Sequence, residues 1–192
     1  MNQEFEVNIE NISKEEKKLR EESLNLFNKE GFPNKRLEEW KFTDLNKIIR
    51  DNFKELKSSK VLKKNVQVEQ IEDFAHNSII LVNGHLEANN FHHEDTSNIK
   101  IKKHEPKLIE KTKTNNPLIN LNDALFEGGY YLEIGKNYKF KKPLIVYNFF
   151  QDNVKNKIFN NKNLIILRNN SSLDLIEFNT DTSRNNFVQN NY

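Results

Sequence analysis

Short apolar runs without intervening helices fill the last third of the chain and limit what it can fold into. They alternate with segments rich in Asn, Lys, Gly and Pro, which are typical of turns and strand ends. The runs are Tyr130–Ile134, Leu144–Phe150, Leu164–Leu167 and Leu173–Phe178. Such strands suit a β-sandwich, a β-barrel or the first coils of a β-helix, and their spacing does not choose among these folds.

The pattern near the N-terminus predicts an α-helix. Ser13 and Glu16 have the spacing of a capping box. One helical face then follows, formed by Leu19, Ser23, Leu26 and Phe27. Gly31 and Pro33 are expected to end the helix, because Gly favours the C-terminal cap and Pro cannot continue the hydrogen bonding.

A second helix is predicted shortly after Pro33, with Thr43 as its N-cap. Its apolar residues recur at steps of three and four, as in an amphipathic helix. They are Leu45, Ile48, Ile49, Phe53 and Leu56. Neither helix would be stable alone in water, so we expect the two to pack together as a small helical N-terminal unit.

The pattern changes to β-structure at Val66. Val66, Val68 and Ile79–Val82 are predicted strands, and Asn83-Gly84 is typical of a tight type I′ hairpin turn. The polar stretch Phe91–Glu105 is interpreted as a surface loop that leads into a short strand around Ile99–Ile101.

One short helix is predicted between the two β-rich parts. Asn116 and Pro117 have the chemistry of an N-cap and first helical residue. Leu118, Leu121 and Leu125 then share one face, and Gly128-Gly129 is expected to stop the helix.

Composition excludes several classes of function. The 30 basic and 28 acidic side chains nearly cancel, so no strong field attracts nucleic acid or anionic lipid. Residues 1–30 contain no continuous apolar run, so we expect a soluble, cytoplasmic protein. The chain has no cysteine and no Gly-rich phosphate loop, which argues against thiolate metal sites and ATP hydrolysis. Abundant asparagine is interpreted as a nucleotide-composition bias as much as a structural demand, and it is given little functional weight.

The segment Phe32–Leu45 resembles the N-terminal signature of SufD proteins in the SufB/SufD family. It contains a proline, a basic pair, a glutamate, a tryptophan, a basic residue, an aromatic residue, a threonine and a leucine in the family's order. Weaker similarities follow in the expected sequence along the chain. They lie at Ile80–Leu86, Leu121–Leu125, Lys142–Val146, Asn163–Leu167 and Ser172–Glu177.

This resemblance implies an α+β fold in which a helical N-terminal unit is followed by the start of a right-handed parallel β-helix. We divide the chain into a helical unit (1–62), a mixed α/β segment (63–128) and the first coils of the β-helix core (129–192). Because the later coils and the C-terminal helices of the family are not in this sequence, we expect an N-terminal fragment.

The function that the resemblance implies is that of a noncatalytic scaffold subunit in the SUF iron–sulfur cluster assembly machinery, the SufBCD complex. The implied partners are a SufB-like subunit and a SufC-like ATPase, with no nucleic acid and no membrane. No cofactor is expected in this chain. An iron–sulfur cluster, and in some assemblies a flavin, would belong to the assembled complex.

No catalytic, cofactor-binding or metal-binding residue is predicted, and the signature residues are expected to be structural. They are Pro33, Arg36, Glu38, Trp40, Thr43 and Leu45. Trp40 is predicted to anchor the loop and the second helix by packing. Arg36 and Glu38 are expected to be solvated or to cap local backbone, since exposed ion pairs contribute little.

Other chemically capable side chains are given structural interpretations. His92 and His93 are adjacent and are expected on a surface loop, not in a metal site. Five carboxylates could in principle form an acid–base pair, but their spacing does not require it, and we expect them at the surface. They are Asp123, Glu127, Glu133, Asp174 and Glu177.

Two alternative functions remain open at this point. The chain could be a β-rich binding module for carbohydrate, with Tyr130, Tyr131, Phe149 and Phe150 as a stacking platform. It could also be a truncated regulatory competitor, which binds a full-length partner but does not recruit the ATPase.

Overall fold

A computed structural model describes residues 5–58, 68–104, 112–151, 154–181 and 185–192. Within these ranges the fold is mixed α+β. The helices are α1 (Lys14–Glu30), α2 (Leu45–Asn52) and α3 (Pro117–Leu125). The strands are β1 (Lys57–Ser58), β2 (Asn77–Val82), β3 (His85–Asn90), β4 (Ile99–Lys103), β5 (Tyr130–Ile134), β6 (Leu144–Phe150), β7 (Lys157–Asn161), β8 (Leu164–Leu167), β9 (Leu175–Asp181) and β10 (Val188–Asn191).

Helix α1 confirms its predicted ends but buries a different face. The Ser13 Oγ accepts a hydrogen bond from the Glu16 N–H at 3.1 Å, and the Gly31 N–H donates to the Phe27 carbonyl at 2.6 Å. The buried residues are Glu16, Arg20, Ser23, Leu24 and Phe27. The predicted Leu19 and Leu26 are only half-buried, because the charged Glu16 and Arg20 face the interior.

Helix α2 is confirmed, but its predicted N-cap is wrong. Asp44, not Thr43, caps the helix, and its Oδ1 accepts a hydrogen bond from the Lys47 N–H at 2.9 Å. An ionised carboxylate is favoured at this position because it also interacts with the positive end of the helix dipole. The helix ends at Asn52, so the buried Phe53 and Leu56 follow it in extended backbone or a bend.

The N-cap of helix α3 and the hairpin turn confirm their local signals, but α3 ends at Leu125 and not at the predicted stop Gly128-Gly129. Asn116 caps α3, and its Oδ1 accepts a hydrogen bond from the Leu118 N–H at 2.9 Å. Between β2 and β3, Asn83 and Gly84 have φ angles of 49° and 85°, as a type I′ turn requires. The predicted strand residue Val66 lies outside the described residues, as does Glu105, at the end of the predicted loop.

All four strands predicted in the C-terminal part of the chain are present, but the prediction missed three other strands. β9 begins at Leu175, two residues after its predicted start at Leu173. β1, β7 and β10 were not predicted, because their sequences are short, polar or rich in asparagine. Each of them is paired in parallel with a distant segment, so tertiary pairing and not local propensity forms them.

The strands form three separate sheets, ordered β1-β7-β10, β3-β2-β6-β9 and β4-β5-β8. Along the chain, β5, β6 and β7 enter the three sheets in turn, and β8, β9 and β10 then enter them in the same order. The pairs β5–β8, β6–β9 and β7–β10 are all parallel. The chain therefore passes twice through the same succession of sheets.

The structure has two main apolar cores, and the apolar residues of α3 belong to the first of them. The helical core joins α1, α2 and α3 to Ile158 of β7, and it includes the edge-to-face pair of Phe27 and Phe32. The strand core lies between the sheets and includes Ile79, Leu132 and Val146, all of them fully inaccessible to solvent. None of the helices in the described ranges combines the length and apolar character needed to cross a membrane.

Arg20 joins the two parts of the molecule and is completely buried. Its Nε donates to the Glu16 Oε1 at 3.0 Å, and its Nη1 lies 3.3 Å from the carbonyl oxygens of Asp123, Ala124 and Phe126. The guanidinium also lies 4.2 Å from the centre of the Phe126 ring. These carbonyls end α3, where a cation is favoured by the helix dipole.

We predict that Arg20→Met destabilises the protein by about 3 kcal/mol or more, because it leaves Glu16 and the last carbonyls of α3 buried without their cation. Urea unfolding would measure the change. Lys18→Met, on the exposed side of the same helix, is the control and should stay within about 0.5 kcal/mol of the parent. Equal stability of the two variants would contradict the role of Arg20.

Gly129, between α3 and β5, is a second residue that the packing constrains. Its backbone lies close to that of a neighbouring segment. Its φ is +120°, and a Cβ added there would lie 2.0 Å from the Lys162 carbonyl oxygen. Its own carbonyl accepts a hydrogen bond from the His104 N–H at 3.1 Å. A side chain at this position would therefore force apart two stretches of backbone.

We predict that Gly129→Ala lowers the free energy of unfolding by about 3 kcal/mol or more, since backbone strain and the steric clash act together. Gly31→Ala is a matched control, because φ is also positive there but no atom lies within 4 Å of the added Cβ. Gly31 has φ 69° and ψ −167°, a conformation that is nearly exclusive to glycine, so that variant should lose about 1–3 kcal/mol from backbone strain alone and less than Gly129→Ala. Thermal unfolding that ranks the two variants equally would show that the close packing contributes nothing.

Candidate interaction surfaces

The predicted signature residues lie in one connected segment between α1 and α2, anchored by its first residues. Phe32 and Pro33 are buried, and the Pro33 carbonyl accepts a hydrogen bond from the Asn46 N–H at 2.9 Å. Leu45, at the other end, is half-buried and packs against the helical core. Pro33 and Leu45 thus fix the two ends of the segment to the helical unit.

The middle of the segment is exposed. The Arg36 N–H donates to the Asn34 Oδ1 at 2.9 Å, while the Arg36 side chain is in solvent. Glu38 pairs with Lys41 at 2.6 Å and not with Arg36. Trp40 ends a short 3₁₀ turn (Glu38–Trp40) and is half-buried.

Around these residues lies a surface that we call the signature surface, formed by Lys35–Thr43 and the outer face of α2. Phe42 is 87% exposed and Ile48 is 46% exposed. An open groove runs beside them, lined by Lys35, Phe42, Thr43, Asp44, Lys47, Ile48, Asp51 and Asn52. Sequence reasoning did not single out Phe42, because an apolar side chain predicts burial and only the backbone direction shows otherwise.

A second surface, the β8–β9–β10 edge, lies at one end of the stacked strands. Each of these strands is the last in its sheet. Apolar side chains exposed on or beside them are Leu164, Leu167, Leu175, Ile176, Phe178 and Tyr192. Unpaired backbone groups next to exposed apolar side chains are typical of an edge that accepts another strand.

His92 and His93 lie beside each other after β3, with ring centres 3.7 Å apart. Searching the described residues finds no group of three or more His, Cys, Asp or Glu side chains that could hold a metal ion. The neighbouring Glu94 instead receives hydrogen bonds from Asn77 Nδ2 (2.8 Å), Tyr138 O–H (2.8 Å) and the backbone N–H of Lys141 and Lys142. Glu94 therefore connects the loop after β3 to the loop before β6.

The surface placement predicted for the five carboxylates is wrong for Asp123. Asp123 is fully buried; its Oδ1 accepts from Lys162 Nζ at 2.8 Å and its Oδ2 from the Thr112 N–H at 2.9 Å. Lys162 supplies the charge that makes this burial possible. Asp174 and Glu177 are exposed, as predicted, while Glu127 and Glu133 are half-buried.

The predicted aromatic platform for carbohydrate is also wrong. Tyr130, Phe149 and Phe150 are buried in the strand cores, and only Tyr131 is half-exposed. Buried rings are not available to stack on a sugar. The two exposed surfaces described above remain the candidate functional sites.

Comparison with known proteins gives one family. Residues 2–146 match the family described as the SufBD protein N-terminal region. This range holds the signature surface and continues into β6, whereas β7 to β10 lie beyond it. A search of curated proteins found no match.

We predict that Glu94→Gln destabilises the protein by about 1–3 kcal/mol near neutral pH, because an amide NH₂ would face the same backbone N–H donors. Burial raises the pKa of Glu94, but the hydrogen bonds from Asn77, Lys141, Tyr138 and Lys142 outweigh it and hold the pKa below its ordinary value of 4.5. The contribution of the ionised group is therefore complete above that value and is lost as pH falls through the lowered pKa.

Unfolding measured from about pH 7 down to about pH 3 tests this linkage. The stability difference between the parent and Glu94→Gln should shrink toward the acid end. Glu87→Gln, at an exposed position on β3, is the control and should change little at any pH. A difference for Glu94→Gln that does not depend on pH would contradict the assignment.

Proposed function

Because this chain belongs to the SufB/SufD family of SUF iron–sulfur cluster assembly, we propose that it is a SufD-type scaffold subunit of the SufBCD complex. The observation that carries the proposal is the family match, which covers the helical unit and the strands through part of β6. The iron–sulfur cluster is the cargo of this machinery. We place the assembly in the cytoplasm.

The double passage through the three sheets supports a finer proposal about the fold. In a parallel β-helix, each coil contributes one strand to each sheet, and successive coils pair in parallel. The strands β5–β6–β7 and β8–β9–β10 follow this order with parallel pairing. We therefore propose that they are the first coils of the right-handed β-helix of the family.

In the proposed scaffold role, this chain binds its partners and the partners supply the cluster ligands and the ATP hydrolysis. The sequence contains no cysteine to provide thiolate ligands and no Gly-rich loop to hold ATP phosphates. Cluster ligands and ATP hydrolysis are therefore assigned to other members of the complex. The proposed partners are a SufB-like subunit and a SufC-like ATPase, and the chain itself acts by binding and positioning them.

The β8–β9–β10 edge is the surface that we propose for the SufB-like subunit. Among the described residues, each of its strands pairs on one side only, and the edge carries exposed apolar residues, including Ile176 and Phe178. Main-chain hydrogen bonding along such an edge provides affinity, and the side chains provide specificity. Covering the edge would also protect it from self-association.

We predict that the tagged chain co-purifies with the SufB-like and SufC-like proteins of its own genome when the three are expressed together. Ile176→Lys combined with Phe178→Glu should reduce recovery of the SufB-like protein by roughly tenfold or more, because it places charges in an apolar contact. Ile48→Lys is the control, since Ile48 is exposed on α2 and not on these strands.

Recovery of the tagged chain alone, from cells in which both partner proteins are present, would argue against the scaffold proposal. Recovery of the complex with the edge variant at the level of the parent would leave the scaffold role in place and reject the edge as the SufB-like contact. Circular dichroism of each variant establishes that the fold is intact.

A further inference from the structure

Asparagine side chains stack on each other where β10 pairs with β7. The two strands are parallel, with Asn160 opposite Asn190 and Asn161 opposite Asn191. The Asn190 Nδ2 donates to the Asn160 Oδ1 at 2.8 Å, and the Asn161 Nδ2 donates to the Asn191 Oδ1 at 3.1 Å. We call each of these side-chain hydrogen bonds an amide rung. The strands are therefore joined by side chains as well as by backbone.

The donor lies on β10 in one rung and on β7 in the other, so β10 keeps two different atoms for a further neighbour. Asn191 uses its oxygen toward β7 and keeps its Nδ2 as a donor. Asn190 uses its Nδ2 toward Asn160 and the Leu118 carbonyl and keeps its Oδ1 as an acceptor. Within the described residues, neither of these two remaining atoms has a hydrogen-bond partner.

A third stacked pair, Asn148 of β6 and Asn179 of β9, is not joined by its side chains. The two residues are in register, but Asn179 is exposed. Asn148 is buried, and neither atom of its side-chain amide has a hydrogen bond. Burying an amide without a partner destabilises a protein. A strand that covers Asn190 and Asn191 with apolar side chains would add the same penalty at those positions.

Backbone pairing alone does not select a partner strand, since almost every residue has an N–H and a C=O group. The side chains of Asn190 and Asn191 do select, because one requires a donor and the other an acceptor. A carboxylate cannot donate, an ammonium group cannot accept, and an aliphatic side chain can do neither. An amide can do both, so two adjacent amides satisfy both residues.

We propose that the strand of the SufB-like subunit that pairs with β10 has two adjacent side-chain amides, which continue the two rungs. One accepts a hydrogen bond from the Asn191 Nδ2, and the other donates to the Asn190 Oδ1. This rests on the proposed contact at the β8–β9–β10 edge and adds which strand that edge selects. The rungs also fix the register, because a shift by one residue would place each amide on the wrong face.

Peptides with the sequence of β7 (Lys157–Asn161), capped at both ends, test this on the full chain, because β7 already pairs with β10 in this register. One peptide keeps the two asparagines, a second has aspartate at both positions, and a third has leucine at both. In an NMR titration, the asparagine peptide should shift the side-chain NH₂ signals of Asn191. It should bind roughly tenfold or more tightly than either of the others.

Asn191→Asp removes the free donor and keeps the existing rung, because the carboxylate still accepts from the Asn161 Nδ2. We expect it to weaken asparagine-peptide binding and recovery of the SufB-like protein by roughly tenfold. Asn186→Asp is the control, since it makes the same chemical change at an exposed position outside the three strands. It should leave both measurements unchanged, and circular dichroism of both variants establishes that the fold is intact.

Equal binding of the three peptides would overturn the proposal, as would asparagine-peptide binding that Asn191→Asp does not weaken. Self-association of the chain would also overturn it, if Asn191→Asp abolishes that association and leaves recovery of the SufB-like protein at the level of the parent. A second copy would then occupy the edge.

The two measurements separate this inference from the scaffold proposal. Selective binding of the asparagine peptide without any recovery of the SufB-like protein would reject the scaffold proposal and support the amide selectivity of β10. Equal recovery of the complex with Asn191→Asp and with the parent would leave the scaffold role in place and reject the amide rungs.

Discussion

The buried guanidinium of Arg20 connects the helical and β-rich parts of this molecule. Burial lowers its pKa, but the hydrogen bond and the charge of Glu16 oppose the shift. By donating hydrogen bonds to the carbonyls at the end of α3, Arg20 fixes α3 against α1. Helix α3 then reaches the strands through Asn122, whose Nδ2 donates to the carbonyls of Asn161 and Asn190. The position of β7 and β10 therefore depends on a contact made by the N-terminal helix.

The elements that the sequence predicted correctly depend on residues that are close together in the sequence. Ser13, Asn116 and Asn83-Gly84 act through hydrogen bonds or backbone angles within a few positions, so their roles can be read locally. Arg20 and Asp123 could not be placed in this way, because their partners Phe126 and Lys162 are distant in sequence. A charged residue predicts exposure unless its partner is known.

The asparagines also show that contacts between residues distant in sequence cannot be predicted from local patterns. The sequence alone does not separate a composition bias from a structural demand for asparagine. In β7 and β10 the structure shows the demand, because the side chains of Asn160 and Asn190 form a hydrogen bond of 2.8 Å, and those of Asn161 and Asn191 one of 3.1 Å. Such ladders form only when parallel strands stack in register.

The candidate site was also only partly predictable from the sequence. The signature segment could be located, but the exposure of Phe42 beside the half-buried Trp40 depends on the direction of a 3₁₀ turn.

The two surfaces differ in how binding relates to folding. Stacked strands are stabilised by the strands next to them, so a partner that covers β8, β9 and β10 also stabilises them. The signature surface lies instead on a segment anchored by Pro33 and the capped helix α2, and its shape does not depend on what binds it. Binding at the β8–β9–β10 edge would therefore be coupled to the stability of these strands, whereas binding at the signature surface would not.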